Sequence, residues 1–333
     1  DGIRDLVRSR GLGDVYKRQI LRFSIDYFHT LIVGNNPVGI SVLGQENFTT
    51  NISGLSASKL NGPNGVAVDP LTGKVFVVDR SNHRILRWAS DEALVIGSEA
   101  EAVFGQSDFT TNSSGLGAGK FNNPIGIHID LEGRMWVGDF GNKRVLRFDN
   151  ASELATGAEA NAVLGQPDFT TNSNGNTAEK LGGPVGVYVD YTGILWVSDW
   201  SNHRVVYYVN AANLPNGSPA NAVLGQADFG MAVGATTQTG MKNPNDVYVD
   251  IFGRLWVSDA SNRRVLRFDN ARNLPNGAPA DGVLGQADFT SNVSAVTQNG
   301  FTNLRFVTGD NSGRIYVVQE LSLIHISEPT RPY

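Results

Sequence analysis

Residues 64–88 read NGVAVDPLTGKVFVVDRSNHRILRW, and this stretch recurs along the chain. Close copies occupy residues 125–148, 185–208 and 245–268, and a shorter copy begins at residue 305. Self-similarity at a fixed period is typical of repeat architectures, in which each unit is one supersecondary element that packs on its neighbours. The chain is therefore predicted to be an array of similar units.

A second landmark gives the period of the array. Each unit carries the pattern V-(L/F)-G-Q-x-x-F, and its glutamine recurs every 60 or 61 residues, at Gln45, Gln106, Gln166, Gln226 and Gln286. The one additional residue lies within Asp69–Gly73, where the other units have Asp-x-x-Gly. Loops tolerate insertions better than the elements they connect. The register therefore indicates hairpins that change length only at a turn.

Each unit is predicted to contain four short strands. Runs rich in Val, Ile, Tyr, Phe and Trp, bounded by Gly, Asn, Asp and Pro, are typical of strands. In the third full unit these runs are residues 186–190, 194–197, 204–208 and 222–226. Between strands one and two, Asp190 is expected to cap its own turn, and Gly193 to adopt the positive φ that closes it.

The second strand of each unit is apolar on both faces, as in Leu195-Trp196-Val197. Alternate side chains of a strand point to opposite faces, so this sheet is expected to be covered on both sides. Four-stranded sheets packed radially around a channel have this property, and the predicted fold is an all-β propeller of four-stranded blades. A β-sandwich is the alternative, but it does not require a repeat of about 60 residues.

The repeats predict four full blades at residues 60–109, 121–169, 181–229 and 241–289, with partial blades at 20–48 and 301–320. These make about five blade equivalents. Residues 1–19 and 321–333 match nothing in the repeats and resemble translated sequencing-adapter DNA, so they are set aside from the fold. We therefore expect the native termini, and any signal peptide or further domain, to be missing.

Composition narrows the possible functions. The chain has 27 basic and 32 acidic residues, a net charge of −5, and it has no cysteine. Without the two end segments, which carry six basic and four acidic residues, the balance is −7. An acidic chain is not expected to bind nucleic acid. Without cysteine there is no disulfide or thiolate ligand, and no apolar run reaches the roughly 20 residues of a membrane helix.

The most repeated polar pattern is Asp-x-x-Asn-x-Arg, between strands two and three. It comprises Asp79, Asn82 and Arg84; Asp139, Asn142 and Arg144; Asp199, Asn202 and Arg204; and Asp259, Asn262 and Arg264. One interpretation is a ring of charged sites. The favoured interpretation is structural, with Asp and Asn capping the turn and Arg paired to a carboxylate, because every full blade repeats it.

Histidine and the aromatic residues give weaker signals. His83 and His203 in the repeat turn are replaced by Lys143 and Arg263 in other units, so this position is not expected to bind metal. His128 lies mid-strand and is expected to pack, while His29 and His325 fall outside the repeat pattern. Phe76, Trp136, Trp196 and Trp256 share one position, where packing between blades is favoured over a stacking platform for sugars or bases.

The full pattern, P-x-(G/D)-(V/I)-x-(V/I)-D, then G-x-(V/L/M)-(F/W)-V, then D-x-(S/G)-N-x-R, resembles the NHL repeat. Asn82-His83-Arg84 and Asn202-His203-Arg204 match it, and the other two units depart only at the middle residue. The resemblance implies a six-bladed propeller of which this chain is a fragment. The V-L-G-Q spacers are similar to those of bacterial, exported NHL-repeat proteins, which favours an extracellular or cell-surface location.

In such propellers the start of strand one faces the central channel. The equivalent positions are Asn64, Ile125, Val185, Asn245 and Arg305, with Asp246 beside them. An enzyme of the lactonase or amidating-lyase type would need several Asp, Glu or His there to hold a divalent cation. The binding candidates are therefore Asn64, Asn245, Asp246 and Arg305, with no predicted catalytic residue, metal or cofactor.

These observations favour a monomeric, non-catalytic scaffold that binds a protein or glycan partner. The alternative is a fragment of a lactonase- or lyase-like enzyme with a metal in its channel. RNA binding, found in some NHL proteins, is disfavoured by the net negative charge.

Overall fold

The structure is a computed structural model that describes residues 20–22, 41–90, 94–310 and 312–320. The two end segments, 1–19 and 321–333, and with them His325, lie outside the described residues, as does His29. Within the described ranges, regular structure consists of strands and single-turn 3₁₀ helices. Across those same ranges, no helix is long and apolar enough to cross a bilayer.

Four complete antiparallel sheets follow one another along the chain, and we call them blades 1 to 4. Blade 1 contains β3 (Pro63–Val68), β4 (Lys74–Asp79), β5 (Arg84–Ser90) and β6 (Ala102–Phe104). Blade 2 contains β7 (Pro124–Ile129), β8 (Met135–Asp139), β9 (Arg144–Phe148) and β10 (Ala162–Leu164). Blade 3 contains β11 (Pro184–Val189), β12 (Leu195–Asp199), β13 (Arg204–Tyr208) and β14 (Ala222–Leu224). Blade 4 contains β15 (Pro244–Val249), β16 (Leu255–Asp259), β17 (Arg264–Phe268) and β18 (Gly282–Leu284).

Two shorter sheets flank these blades. The first pairs β1 (Ile20–Arg22) with β2 (Ser41–Leu43), which correspond to the third and fourth strands of a blade. The second pairs β19 (Asn303–Gly309) with β20 (Ile315–Glu320), which correspond to the first and second strands. In every complete blade the strands pair in chain order, each hydrogen-bonded to the next.

The blades pack side by side through their inner strands. The first strand of each blade contacts the first strand of the next, from β3 through β7, β11 and β15 to β19. The core lies between blades: Phe76 and Val78 of blade 1 share one buried cluster with Ile127 and Phe148 of blade 2. A blade that lies between two others is therefore covered on both faces. The predicted β-propeller is confirmed.

The recurring aromatic residues of strand two belong to this core. Phe76, Trp136, Trp196 and Trp256 are all buried, as expected for packing between blades. The indole N–H groups also donate hydrogen bonds, which packing alone does not require. Nε1 of each tryptophan donates to the aspartate that ends strand one of the same blade, as in Trp136 to Asp130 at 2.9 Å. The pair fixes the ring and the turn together, since a buried indole N–H needs an acceptor.

The turn between strands one and two follows its sequence pattern. In blade 3, Oδ1 of Asp190 accepts the backbone N–H of Thr192 at 2.8 Å, and Gly193 has φ 81°. The predicted fourth strand is too long, however. It ends at Phe104, Leu164, Leu224 and Leu284, because the next residue is a glycine with φ between 81° and 87°. That left-handed conformation turns the chain out of the sheet.

Close approach of neighbouring inner strands depends on a second glycine, Gly126 in β7. A Cβ added there would lie 2.0 Å from the carbonyl oxygen of Val185 in β11. A flexible side chain could rotate away from an added Cβ, but the Val185 backbone cannot move without shifting β11. Gly126 therefore sets the spacing of blades 2 and 3 at the inner edge.

We predict that Gly126→Ala lowers the free energy of unfolding by about 1–3 kcal/mol, as overpacked cores do. Gly230→Ala is the matched control, because nothing lies within 4 Å of a Cβ at Gly230. Its effect should stay within about 0.5 kcal/mol. Urea denaturation followed by tryptophan fluorescence measures both. Equal stability of the two variants would contradict this account of the inner edge.

Candidate functional site

The Asp-x-x-Asn-x-Arg residues form one buried group in each blade. In blade 1, Nε of Arg84 lies 2.8 Å from Oδ2 of Asp79, and both side chains are fully buried. Nη1 of Arg84 donates to the Phe109 carbonyl at 2.7 Å, and Nη2 donates to the Ser56 and Lys59 carbonyls at 2.9 and 3.0 Å. One guanidinium therefore connects the loop before the blade, the turn within it and the V-L-G-Q-x-x-F segment after it.

The aspartate of this group does not cap the turn as the sequence pattern suggests. The Asp79 side chain accepts no backbone N–H of the 3₁₀ turn Arg80–Asn82. Oδ1 of Asp79 instead accepts the N–H of Asn61 at 2.6 Å, and Oδ2 accepts Nδ2 of Asn82 at 2.7 Å. The carboxylate is thus directed at the preceding loop, because Arg84 and Asn82 already hold the side that faces the turn.

The same contacts recur in the other three blades. The Nε–Oδ2 distances are 2.8 Å for Arg144 and Asp139, 2.9 Å for Arg204 and Asp199, and 2.7 Å for Arg264 and Asp259. Asn142, Asn202 and Asn262 each donate to the aspartate of their own blade. Burial raises the pKa of Asp139 to about 6, while the charge of Arg144 and the donated hydrogen bonds act in the opposite direction. At neutral pH the carboxyl is therefore ionised and paired.

The repeated glutamine holds the other side of the turn. Nε2 of Gln106 donates to the His83 carbonyl and to the Ser113 carbonyl, both at 3.0 Å. Gln166, Gln226 and Gln286 make the equivalent pair of bonds. His83 has φ 53°, and the equivalent residues Lys143, His203 and Arg263 also have φ between 53° and 58°. What the blades share at this position is a left-handed backbone whose carbonyl faces the glutamine.

The two histidines use their side chains to join blades. Nδ1 of His83 accepts the N–H of Asn123 at 3.0 Å, and Nδ1 of His203 accepts the N–H of Asn243 at 3.1 Å. Burial lowers the pKa of both imidazoles. For His203, the charge of Lys242 lowers the pKa further and that of Asp199 raises it. Lys143 makes a different contact, since its Nζ donates to the Asn172 carbonyl.

The channel-edge candidates contribute mainly to the contact between blade 4 and β19. Nδ2 of Asn245 donates to the Arg305 carbonyl at 2.8 Å, and Oδ2 of Asp246 accepts the N–H of Val307 at 3.3 Å. Both side chains are buried. Asn64, at the start of β3, is partly buried and is not among these contacts. The structure thus brings together Asn245, Asp246 and the Arg305 backbone.

Arg80 carries a charge close to this edge. Burial, and then the like charge of Arg305, lowers the pKa of Arg80. Arg80 of blade 1 and Arg305 of β19 are therefore close enough for their charges to interact. Among the described residues, no three His, Cys, Asp or Glu side chains come together closely enough to hold a metal ion.

His128, which is expected from the sequence to pack within its strand, belongs to a row of rings that crosses the inner strands. The ring of His128 lies 4.6 Å from that of Tyr188, and Tyr188 lies 5.3 Å from Tyr248, measured between centroids. These residues occupy one position in successive blades, 60 residues apart. That spacing was the available signal, since equivalent positions of neighbouring blades are adjacent. The row packs the inner seam from blade 2 to blade 4.

The model of the NHL repeat family matches residues 60–88, which include the stretch that first revealed the repeat. Residues 60–88 are therefore an NHL repeat. NHL repeat-containing protein 3 of Mus musculus is 30% identical over 100 residues, which are 29% of this chain and 25% of the relative. The chain therefore matches about a quarter of the length of that curated relative.

Two solved structures resemble the chain at lower sequence identity. A nidogen/laminin complex has a TM-score of 0.49 and 18% identity, covering 83% of this chain and 73% of that one. A streptogramin B lyase has a TM-score of 0.47 and 12% identity, covering 80% and 64%. Neither likeness is close enough to indicate a function.

We predict that Arg144→Met lowers the free energy of unfolding by about 3–5 kcal/mol at neutral pH, because it leaves the Asp139 carboxylate buried without its partner. Lys59→Met is the control: Lys59 pairs with an exposed Glu46 at 2.9 Å, and its loss should cost under about 1 kcal/mol. Urea unfolding curves measure both. Similar losses would show that the buried pair is not what holds the NHL repeat together.

A second prediction concerns how the stability of the protein changes as the pH falls. The folded-state pKa of His83 and of His203 lies below the ordinary value of 6.5, so protonation favours the unfolded chain. Their contribution to stability is complete above about pH 6.5 and is lost as the pH falls through the folded-state pKa. The double variant His83→Lys, His203→Arg uses the residues of the other two NHL repeats. Between pH 7.5 and 5.0 its urea midpoint should fall less than that of the wild type, and an equal or larger fall would refute the prediction.

Proposed function

We propose that this NHL-repeat propeller is a non-catalytic module that binds a partner protein through its exposed loops and turns. The proposal rests on where the repeated polar side chains form their hydrogen bonds. The Asp, Asn, Arg and Gln side chains present in every blade are bonded to backbone or to one another inside the blade seams. They are structural groups, and they leave the surface turns free to vary.

The inner edge supports the same conclusion. A channel enzyme needs ionisable side chains directed at a substrate or a metal. Here Asn245 and Asp246 are buried and bonded to the backbone of β19. These bonds join two neighbouring sheets. This structural role accounts for the presence of Asn245 and Asp246 without a catalytic function.

The enzymatic alternative is a lactonase- or amidating-lyase-like propeller with a metal in its channel. Asp246, Asn64 and Asn245 motivate it, because carboxylate and amide oxygens are ligands that Ca²⁺ prefers. Only Asp246 of the three is ionisable, and its Oδ2 already accepts a backbone N–H. No specific contact favours this alternative over the binding module.

The two functions are separated by a turnover assay on the full chain with lactone and peptide-amide substrates, with and without Ca²⁺ or Zn²⁺. We expect no metal-dependent turnover. Asp246→Asn and, as its control, Asp288→Asn on an exposed outer loop should behave like the wild type. Metal-dependent turnover that Asp246→Asn abolishes and Asp288→Asn retains would replace the binding module with the enzyme. A glycan array provides the second arm, on which specific retention would make the partner a glycan.

A further inference from the structure

Large apolar side chains are exposed at one equivalent place in every complete blade. They lie in the turns between strands one and two, which form one end of the propeller. The exposed fractions are 66% for Leu71, 62% for Leu131, 61% for Tyr191, 45% for Ile251 and 63% for Phe252. We call these five side chains the turn collar. Single exposed apolar residues are ordinary, whereas one repeated at the same position around a face indicates an interaction site.

Collar side chains reach the neighbouring turn at two boundaries, between blades 1 and 2 and between blade 4 and the sheet of β19 and β20. Cδ1 of Leu71 in blade 1 lies 3.3 Å from the Cβ position of Gly133 in the blade 2 turn. Cε2 of Phe252 in blade 4 lies 2.7 Å from the Cβ position of Gly313 in the turn of β19 and β20. Leu71 and Phe252 therefore each rest over the glycine of the next turn, where no side chain separates the two.

Between blades 3 and 4, arginines hold the collar aromatics in place. The Arg272 guanidinium carbon lies 4.3 Å from the centroid of the Tyr191 ring, and its Nη1 donates to the Tyr191 hydroxyl at 3.0 Å. The Arg254 guanidinium carbon lies 4.8 Å from the Phe252 ring centroid. Aromatic and arginine side chains dominate the energetics of protein interfaces, and fixing them beforehand lowers the entropy lost on binding.

In the turns of blades 3 and 4 the charged pairs are arranged with the cation outward. Arg272 pairs with Asp190 at 3.0 Å and Arg254 with Asp250 at 2.7 Å, and both carboxylates are at most 1% exposed. The two arginine side chains are 22% and 29% exposed. At blades 3 and 4 a partner therefore meets guanidinium groups and apolar side chains, whereas Glu132 in the blade 2 turn is 66% exposed. The net charge of the chain is −5.

We propose that the turn collar is the docking surface of a partner protein that presents apolar side chains flanked by carboxylates. This inference rests on the proposed function and deepens it by naming the face and the chemistry of the partner. Apolar groups of the partner bury against Tyr191, Ile251 and Phe252, and its Asp or Glu side chains meet Arg254 and Arg272. The two guanidinium groups repel cationic partners and attract acidic ones. They therefore add specificity and speed the association of an acidic partner.

A protein fits this surface better than a sugar or a lipid surface does. Sugars stack on open ring faces, and one face of Tyr191 is covered by Arg272. Leu71, Leu131 and Ile251 offer sugar hydroxyls no hydrogen-bonding group. An anionic bilayer would attract the arginines but would repel the rest of an acidic chain.

The test selects a displayed library of random twelve-residue peptides against the full chain and measures the affinity of the winners. We expect them to combine Leu, Ile, Phe or Trp with Asp or Glu. Their affinity should fall at least tenfold for the double variant Tyr191→Ser, Phe252→Ser, and severalfold when NaCl rises from about 50 to 300 mM. The matched control Trp200→Ser, Val233→Ser removes exposed apolar side chains at the opposite end of the blades and should change affinity less than twofold.

Unfolding curves of both double variants should match the wild type, because all four side chains are more than a third exposed. Peptides that depend on Trp200 and Val233, or that bind the collar variant as tightly as the wild type, would overturn the collar and leave a binding module in place. Enrichment of no peptide, together with metal-dependent turnover, would overturn both proposals. Collar-dependent binding to phosphatidylserine vesicles or to a glycan array, without peptide binding, would overturn the protein partner.

Discussion

The structure depends on one interaction repeated in each complete blade, the buried ion pair between the arginine of strand three and the aspartate of strand two. In a loop without regular structure, the backbone carbonyls lack hydrogen-bond partners within a sheet or helix, and those that are buried need donors from elsewhere. Arg84 supplies such donors to Ser56, Lys59 and Phe109 while it pairs with Asp79. The desolvation of a buried pair offsets much of its Coulombic attraction, so its main effect is to specify one arrangement of three segments.

This arrangement explains which substitutions the repeat accepts. His83, Lys143, His203 and Arg263 differ in chemistry but share a left-handed backbone and a carbonyl bonded to the repeated glutamine. Their side chains make individual contacts beyond that. The residues that define the NHL repeat therefore act on the backbone of the loops, and positions outside these contacts are available for function.

The exposed turns are such positions. At the collar, one position carries Leu71, Leu131, Tyr191 and Ile251 in successive blades, on a scaffold whose turn geometry does not change. Rigid scaffolds that vary a few surface residues are how one fold serves many partners, and the fold alone does not name the partner. The proposed partner chemistry follows instead from the side chains at this end of blades 3 and 4: apolar groups, outward guanidinium groups and inward carboxylates.

The sequence by itself determined the period, the four strands of each blade and the identity of the buried Asp–Asn–Arg groups, because all of these depend on local patterns that recur every 60 residues. It could not determine which loop carbonyls Arg84 would reach, since those partners lie 25 to 28 residues away. Only the tertiary structure decided that Asp79 faces the preceding loop, that His128, Tyr188 and Tyr248 form one row, and that Asn245 and Asp246 bond to β19. The row of rings and the bonds to β19 arise when neighbouring sheets meet at their inner edges, and the pattern of a single repeat contains no information about the sheet on the other side.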